Sequence, residues 1–313
     1  MENAGGHVPV LYKETLELLN LRPGMTVVDG TLGGAGHARG VLEQILPGGR
    51  LVGIDKDEAA IKRAQKAFES EKDNVTLVKD DFKNIKGILA GLQIEKIDAA
   101  MLDLGVSSYQ LDEGERGFSY NQNAALDMRM DNASALSAKR VVNEYSQSEL
   151  HRIIKEYGEE RWAKRIAEFI VKERSVKEIE TTGELTRIIK AAIPKGARKD
   201  GPHPAKRTFQ AIRIEVNGEL AGLGDAMEAY AAALSPGGRL CVITFHSLED
   251  RIVKQTFKKL NDPCECPKDF PQCVCGKVKT VEIVTRKPVL PAKEETETNP
   301  RARSAKLRAI QKI

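Results

Sequence analysis

The chain has 313 residues, enough for a substantial core and for two domains. Its 41% hydrophobic and 30% charged residues are typical of a globular protein, and no apolar run is long enough to cross a bilayer, which argues against a membrane-spanning chain. Residues 1–20 contain charges and lack an apolar core, so we expect no signal peptide and a cytoplasmic location.

The positive charge of the chain is concentrated in two segments. The net charge is only +4, but residues 194–213 carry six basic and one acidic residue, and residues 286–313 carry eight basic and three acidic residues. Each segment therefore has a charge of +5. This pattern fits contact with a polyanion such as nucleic acid, although solvated surface loops would give the same pattern.

The first hundred residues alternate between short apolar runs and helical stretches. The apolar runs predict strands over 25–29, 50–55, 75–78 and 97–104, and the spacing after the second run predicts a helix over 58–68. Continuous apolar strands that alternate with helices are typical of a parallel sheet covered on both faces. The fold class is therefore α/β.

After the fourth predicted strand the pattern becomes helical. Residues 109–212 contain no strand pattern, and Ser146 with Glu149 and Thr181 with Glu184 have the spacing of capping boxes that begin helices. A long helix over about 215–234, a strand over 238–245 and an edge strand over 280–285 follow. We therefore expect a sheet domain formed by residues 1–108 and 213–313, with an inserted all-helical domain at 109–212 that recognises the substrate.

A glycine-rich turn follows the first predicted strand. Residues 28–37 read VDGTLGGAGH, which matches neither the dinucleotide fingerprint nor a phosphate loop. Asp29 ends the first strand and Asp55 ends the second, at the edge where such folds bind ligands. Two carboxylates that face a glycine turn suit a ligand with an amine and a ribose, and S-adenosylmethionine has both.

Several longer segments carry a specific resemblance. They read HVPVL at 7–11, MLDLGVSSYQLD at 101–112, RGFS at 116–119, LDMRM at 126–130, TFQAIR at 208–213, FHSLEDR at 245–251 and NPRARSAKLR at 299–308. In these segments, which span nearly the whole chain, the sequence resembles the bacterial 16S ribosomal RNA cytosine-N4-methyltransferase family, also called RsmH or MraW.

The resemblance implies a Rossmann-like class I methyltransferase sheet with an inserted helical domain. It implies that S-adenosylmethionine is the cofactor and that the substrate is a decoding-region cytidine of 16S rRNA in the 30S subunit. By motif position, it implies cofactor contacts at Ala35, Gly36, His37, Asp55, Phe82, Asp103 and Gln110.

Two residues are candidates for the chemistry. Asp103 ends the fourth predicted strand, where amine-directed methyltransferases place an acceptor for the target NH2 group, although it could instead bind only the cofactor amine. His246 follows the fifth predicted strand and could relay a proton, or it could only cap a helix. Both alternatives stay open from the sequence.

The sequence also offers candidates for RNA contact. Arginines could bind phosphates, and aromatic residues could either stack on the target base or belong to the core. The candidate arginines are Arg129, Arg213, Arg301, Arg303 and Arg308, and the candidate aromatics are Tyr109, Phe118, Tyr120 and Phe245.

Four of the five cysteines lie within twelve residues. Cys264, Cys266, Cys273 and Cys275 could surround a structural zinc ion, but the tight C-x-C spacing also suits two reduced turns. Cys241 lies in the fifth predicted strand, where we expect a buried hydrophobic role.

Two other functions compete with rRNA methylation. The protein could bind the cofactor and assist ribosome assembly without transferring a methyl group, although the acids at positions 29, 55 and 103 argue against a dead site. It could also methylate a protein or a small molecule. The sequence leaves the oligomeric state open between a monomer and a homodimer.

Overall fold

The computed structural model describes residues 9–107, 109–110, 114–198, 203–267, 272 and 274–313. The chain forms two compact units. Met1–Gly105 and Ala221–Ile313 make the first, which we call the sheet unit, and Val106–Leu220 makes the second, the helical unit. The expected domain boundary at 212/213 falls inside a continuous helix, Lys206–Asn217, so the two units join several residues later than expected.

Seven strands of the described chain form one sheet in the sheet unit. They are β1 (Thr26–Asp29), β2 (Arg50–Asp55), β3 (Val75–Lys79), β4 (Ile97–Asp103), β5 (Leu234–Thr244), β6 (Val281–Ile283) and β7 (Lys306–Lys312). Their order is β3-β2-β1-β4-β5-β7-β6. The first five strands are parallel, and β7 is antiparallel to both neighbours.

Helices accompany the sheet. Their bounds are α1 (Tyr12–Leu19), α2 (Gly36–Ile45), α3 (Glu58–Ala67) and α4 (Ile85–Gly91) in the first part of the sheet unit. Side chains that alternate along each strand enter two separate cores. Val27 packs with α1, α2 and α3, whereas its neighbour Val28 packs with α4 and the helices of the second part. The sheet is therefore buried on both faces, as its apolar strands predict.

The helical unit has its own core. Its helices are α5 (Ala138–Glu144), α6 (Gln147–Glu156), α7 (Ala163–Arg174), α8 (Thr182–Ala192) and α9 (Lys206–Asn217). Both predicted capping boxes are confirmed, at Ser146 with Glu149 and at Thr181 with Glu184. Twenty-four buried apolar residues pack together in this unit, so it can hold its shape through burial of its own side chains.

One predicted helix was wrong. Instead of a single helix over 215–234, the structure has α9 ending at Asn217 and a new helix, α10, over Leu223–Ala233. Gly218 and Gly222 between them have φ values of 57° and 69°. Glycine adopts this left-handed region without steric cost, so the two glycines end one helix and begin the next.

The last part of the chain completes the sheet. Helix α11 (Ser247–Asn261) follows β5, and a short helix α12 (Lys293–Thr298) precedes β7. The predicted edge strand is confirmed as β6, in shorter form. Strand β5 begins at Leu234, before the predicted strand over 238–245, and its first part is irregular, because Ile97 and Ala99 of β4 pair with Leu234 and Arg239. Among the described residues, no helix has the length and apolar character needed to cross a membrane.

Candidate functional site

The site is defined by the point at which the strand order reverses. From β1 the chain adds β2 and β3 on one side, and β4 and β5 lie on the other side. The carboxyl ends of β1 and β4 therefore flank a crevice, and open α/β sheets bind their ligands in a crevice of this kind. Asp29, Asp55 and Asp103 are the last residues of β1, β2 and β4.

The turn after β1 approaches the sheet and then starts a helix. Gly33 and Ala35 have φ values of 49° and 60°, and the Ala35 N–H donates to the Leu32 carbonyl at 2.6 Å. No side chain caps the first turn of α2, which begins at Gly36. The first N–H groups of this helix and its dipole therefore suit a carboxylate ligand.

Gly30 leaves no space for a side chain. A Cβ atom at this position would lie 2.5 Å from the hydroxyl oxygen of Tyr230, a fully buried residue of α10. The Gly30 N–H also donates to the Met101 carbonyl at 3.0 Å and so continues the pairing of β1 with β4. The turn therefore lies directly on the end of the sheet.

Asp55 organises the turn from the neighbouring strand. Its Oδ2 accepts from the Gly33 N–H at 2.8 Å, and its Oδ1 accepts from the Asp57 N–H at 2.8 Å. Burial raises its pKa against the effect of these hydrogen bonds. Each carboxylate oxygen has two lone pairs, so each can accept one further hydrogen bond from a ligand hydroxyl.

Asp103 presents an unsatisfied oxygen. Its backbone N–H donates to Thr31 Oγ1 at 2.5 Å, which fixes the end of β4 to the glycine turn. Its Oδ1 is buried and has no hydrogen-bond partner among the described residues. Burial, together with the nearby carboxylates of Asp29 and Glu249, raises the pKa of Asp103 to about 8. An unpaired buried acceptor is costly, which indicates that a ligand donor belongs there.

His37 lies against this carboxyl group. Its Nε2 lies 3.1 Å from the Val10 carbonyl oxygen and donates to it, so Nδ1 is the unprotonated nitrogen of the neutral ring. Nδ1 lies 3.8 Å from Asp103 Oδ2. Burial lowers the pKa of His37 to about 4, so the imidazole is neutral at physiological pH.

Two further acids surround Asp103, and of these the sequence predicted only Asp29 at this edge of the sheet. Asp29 is 1% exposed, and burial raises its pKa to about 7 even though its Oδ1 accepts from the Thr31 N–H at 3.0 Å. Glu249 is also 1% exposed and comes from α11, after β5. Only folding brings it to the end of β4, so local sequence spacing could not reveal it.

His246 has a structural role at the start of α11. Its Nδ1 accepts from the Glu249 N–H at 3.4 Å, and Glu249 Oε2 accepts from the His246 N–H at 3.3 Å, which together form a capping box. This capping role fits one of the two alternatives that the sequence left open. The proton relay stays a prediction, since the buried Nε2 of His246 lies 3.2 Å from Glu249 Oε1.

The remaining cofactor candidates divide between the two units. Phe82 is half-buried and follows β3 in a 3-10 turn that the Asp81 side chain caps, at the same edge of the sheet as Asp55. Gln110 belongs to the helical unit, where its Oε1 accepts from the Ser107 N–H at 3.0 Å. Ser108 and residues 111–113 of the same motif lie outside the described residues.

Three of the five candidate arginines make ion pairs within the protein. Arg308 is 7% exposed, and its Nε donates to Asp250 Oδ1 at 2.7 Å, because the basic C-terminal segment forms β7 rather than a free tail. The structure thus gives Arg308 a buried ion pair, and its expected contact with RNA stays a prediction. Arg213 donates twice to Glu219, and Arg129 donates twice to Asp127.

The aromatic residues that could stack on the target base differ in how deeply they are buried. Phe118 is buried in the core of the helical unit, and Tyr120 stacks on His203 with ring centroids 4.6 Å apart. Phe245 is half-buried against the core of the sheet unit. Tyr109 is also half-buried. Phe118 is therefore the one candidate among these four aromatic residues that is fully buried in a core.

The late cysteines are close together. Cys264, Cys266 and Cys275 have sulfur atoms that all lie within 4.8 Å of one another, in the segment between α11 and β6. Cys273 lies outside the described residues. Cys241 is 1% exposed in β5, and burial raises its pKa to about 12, so its expected buried hydrophobic role is confirmed.

The sheet order and the site identify the class of protein. A sheet ordered 3-2-1-4-5-7-6, with an antiparallel seventh strand and acids at the ends of β1, β2 and β4, defines a class I S-adenosylmethionine-dependent methyltransferase. The model of the MraW methylase family matches residues 4–313, and the chain belongs to this family.

Relatives agree along nearly the whole chain. Proteins named Ribosomal RNA small subunit methyltransferase H are 54% identical in Symbiobacterium thermophilum, over 98% of this chain and 96% of the relative, and 56% identical in Acetivibrio thermocellus, over 98% and 99%. The protein of the same name in Clostridioides difficile is 54% identical over 98% of this chain and 99% of its own length.

Proposed function

We propose that the protein transfers a methyl group from S-adenosylmethionine to the N4 amine of a decoding-region cytidine in 16S rRNA. The observation that carries this proposal is the buried Oδ1 of Asp103, which lacks a hydrogen-bond partner in the described structure at the end of β4. An exocyclic amine offers the N–H donor that this oxygen needs.

The residues at the crevice fit the cofactor. The Asp55 carboxylate would accept the ribose hydroxyls, since each of its oxygens keeps one lone pair beyond its backbone bond. The backbone N–H groups of Gly36 and His37 would bind the methionine carboxylate at the uncapped start of α2, and Ala35, whose own N–H donates to Leu32, would line the turn beside it. Phe82 would pack against the adenine, and Gln110 and Asp103 complete the proposed set.

The chain's part in the reaction is alignment and charge stabilisation. S-adenosylmethionine supplies an already activated methyl group on a sulfonium sulfur. Asp103 would accept a hydrogen bond from the amine through Oδ1 and hold the nitrogen lone pair in line with that methyl group. The nitrogen gains positive charge as it reacts, and a carboxylate in a buried site stabilises such charge strongly.

Asp103 is also the group that takes the released proton. Its pKa of about 8 makes it a better proton acceptor than an ordinary carboxylate when it is ionised. The positive charge of the bound cofactor would lower this pKa and favour the ionised form. His37 keeps its neutral ring against Oδ2 and leaves Oδ1 for the substrate.

The RNA substrate is supported by the relatives' name and by the charge distribution. The three relatives described above carry the name of a small-subunit ribosomal RNA methyltransferase. Arg303 is exposed and Arg301 half-exposed, so these two are the residues of the C-terminal basic segment that we assign to phosphates. We assign Arg129 and Arg213 mainly to folding of the helical unit, which we propose recognises the RNA. A ribosomal substrate implies a cytoplasmic enzyme.

One experiment separates this proposal from its rivals. The purified protein is incubated with methyl-labelled S-adenosylmethionine and with 30S subunits, naked 16S rRNA or cell protein. We expect label in 16S rRNA. Label only in protein would establish the protein-methylation alternative, and cofactor binding without transfer to any sample would establish a non-catalytic assembly factor.

A further inference from the structure

The segment between α11 and β6 contains a cluster of three sulfur atoms that the methyltransferase site does not use. We propose that Cys264, Cys266 and Cys275 bind a zinc ion as thiolates. The three sulfur atoms lie within 4.8 Å of one another although Cys275 is eleven residues from Cys264.

The spacing of the sulfur atoms matches a tetrahedral zinc site. A zinc–sulfur bond of ~2.3 Å places two tetrahedral sulfur ligands ~3.8 Å apart. Cys264 Sγ and Cys275 Sγ lie 4.0 Å apart, which is close to this value and far longer than a disulfide bond of ~2.05 Å. The cluster thus already has nearly the separation of zinc ligands, whereas a disulfide would require the sulfur atoms to move closer by about half.

The surroundings of the sulfur atoms also favour a metal-bound thiolate. The backbone N–H of Val274 donates to Cys266 Sγ at 3.3 Å, and such a donor stabilises the negative charge that a zinc-bound sulfur keeps. Each thiol releases its proton when it binds the metal.

A cross-link would stabilise the described part of this segment, where apolar side chains are exposed. Val274 and Val278 are 74% and 76% exposed, so these side chains do not hold it in place. A metal ion can replace such a core by tying distant residues together. Cys273 lies outside the described residues and is not part of the proposed set, and the fourth ligand comes from outside these three cysteines.

The test measures metal on the full-length protein. The protein is produced in zinc-supplemented medium under reducing conditions, and bound metal is measured by mass spectrometry. We expect one zinc ion per chain. Replacement of zinc by Co²⁺ should give the intense thiolate-to-cobalt charge-transfer absorption of a tetrahedral site. This second measurement uses the unmodified chain, so it does not depend on whether a variant folds.

Variants identify the ligands. Cys264→Ala and Cys275→Ala should each lose most of the bound zinc and weaken the cobalt absorption, whereas the matched control Cys241→Ala removes a thiol outside the cluster and should keep both. Metal-free protein without thiolate-to-cobalt absorption would overturn the proposal. A disulfide would also overturn it: the protein mass would be two hydrogens lower than that of the reduced chain, and Cys264 and Cys275 would occur in one disulfide-linked peptide.

Discussion

His37 Nδ1 lies 3.8 Å from Asp103 Oδ2, and both groups are uncharged at neutral pH. Burial lowers the pKa of His37 to about 4 and raises the pKa of Asp103 to about 8. An ion pair would shift both pKa values in the opposite directions. The chain therefore holds a carboxyl group that ionises only in mildly alkaline solution. In the proposed reaction the ionised form accepts the proton of the substrate amine.

Turnover should therefore depend on pH through Asp103. With saturating cofactor and RNA, we expect turnover to rise tenfold per pH unit below a single pKa and to level off above it. The pKa of about 8 in the chain alone is the upper limit, because the cationic cofactor lowers it. A profile that falls as pH rises from 6 to 8 would exclude Asp103 as the proton acceptor.

Asp103→Asn should separate catalysis from cofactor binding. The amide keeps an oxygen for the amine but loses the negative charge, so we expect turnover to fall about 10²–10³-fold. Cofactor affinity should be partly retained, since Asp55 and the start of α2 are unchanged. Calorimetric titration and single-turnover kinetics measure the two effects. Full turnover in the variant would remove Asp103 from the chemistry.

The same substitution should stabilise the protein at alkaline pH. The folded-state pKa of Asp103 is about 8, above its ordinary 3.8, so protonation favours the folded state and stability is lost as pH rises between these values. Asn cannot ionise. The Tm of Asp103→Asn relative to the wild type should therefore increase from pH 4 to pH 8 and then stay constant.

Asp250→Asn provides a control in which the change in Tm should have the opposite sign. Arg308 and Lys306 hold the pKa of Asp250 below its ordinary value, so its charge stabilises the folded state above the unfolded pKa, and that stability is lost as pH falls. This variant should melt below the wild type at neutral pH, with a difference that shrinks in acid. If both variants shift in the same direction at pH 8, the pKa assignment is wrong.

Asp55 should control cofactor affinity. We expect Asp55→Ala to bind S-adenosylmethionine about a hundredfold more weakly or worse, because two ribose hydrogen bonds are lost and each charged hydrogen bond is worth about 1.5–3 kcal/mol. Asp55→Asn retains one acceptor oxygen, so its affinity for the cofactor should lie between those of the wild type and Asp55→Ala. Glu58→Gln is the matched control, since its exposed carboxylate pairs with Lys62 and Lys79. Unchanged affinity in Asp55→Ala would place the ribose elsewhere.

The C-terminal arginines should divide into one structural residue and two RNA contacts. Arg308→Met breaks the buried bond to Asp250 and should lower the free energy of unfolding by about 2–3 kcal/mol. Arg303→Gln should leave stability unchanged and reduce the slope of log affinity for RNA against log salt by about one, and Arg301→Gln should act similarly. An unchanged slope in both would show that this segment is not an RNA contact.

The sequence predicted the parts of the fold that local patterns encode. Apolar runs located β1 to β5, and capping boxes located the starts of α6 and α8. The sequence did not predict that residues 306–312 form a strand. Arg308 looked like part of a basic tail because its partner, Asp250, lies 58 residues away on another element.

The candidate site was likewise predictable only in part. Asp29, Asp55 and Asp103 follow apolar runs, so their common edge could be inferred from the parallel sheet. Glu249 could not be placed there, since it enters from α11 after an insertion of more than a hundred residues. The protonation state of Asp103 was also unpredictable, because its raised pKa comes from burial and from Asp29 and Glu249.

The most direct test of the account is the identity of the methylated nucleoside. 16S rRNA from 30S subunits treated with enzyme and S-adenosylmethionine is digested, and the nucleosides are identified by mass spectrometry. Carbon-directed methylation of cytosine would need a thiolate attacking the ring, yet Cys241 is buried within β5. We predict N4-methylcytidine, formed far more slowly by Asp103→Asn. A methyl group on carbon 5 or on the ribose would contradict the account.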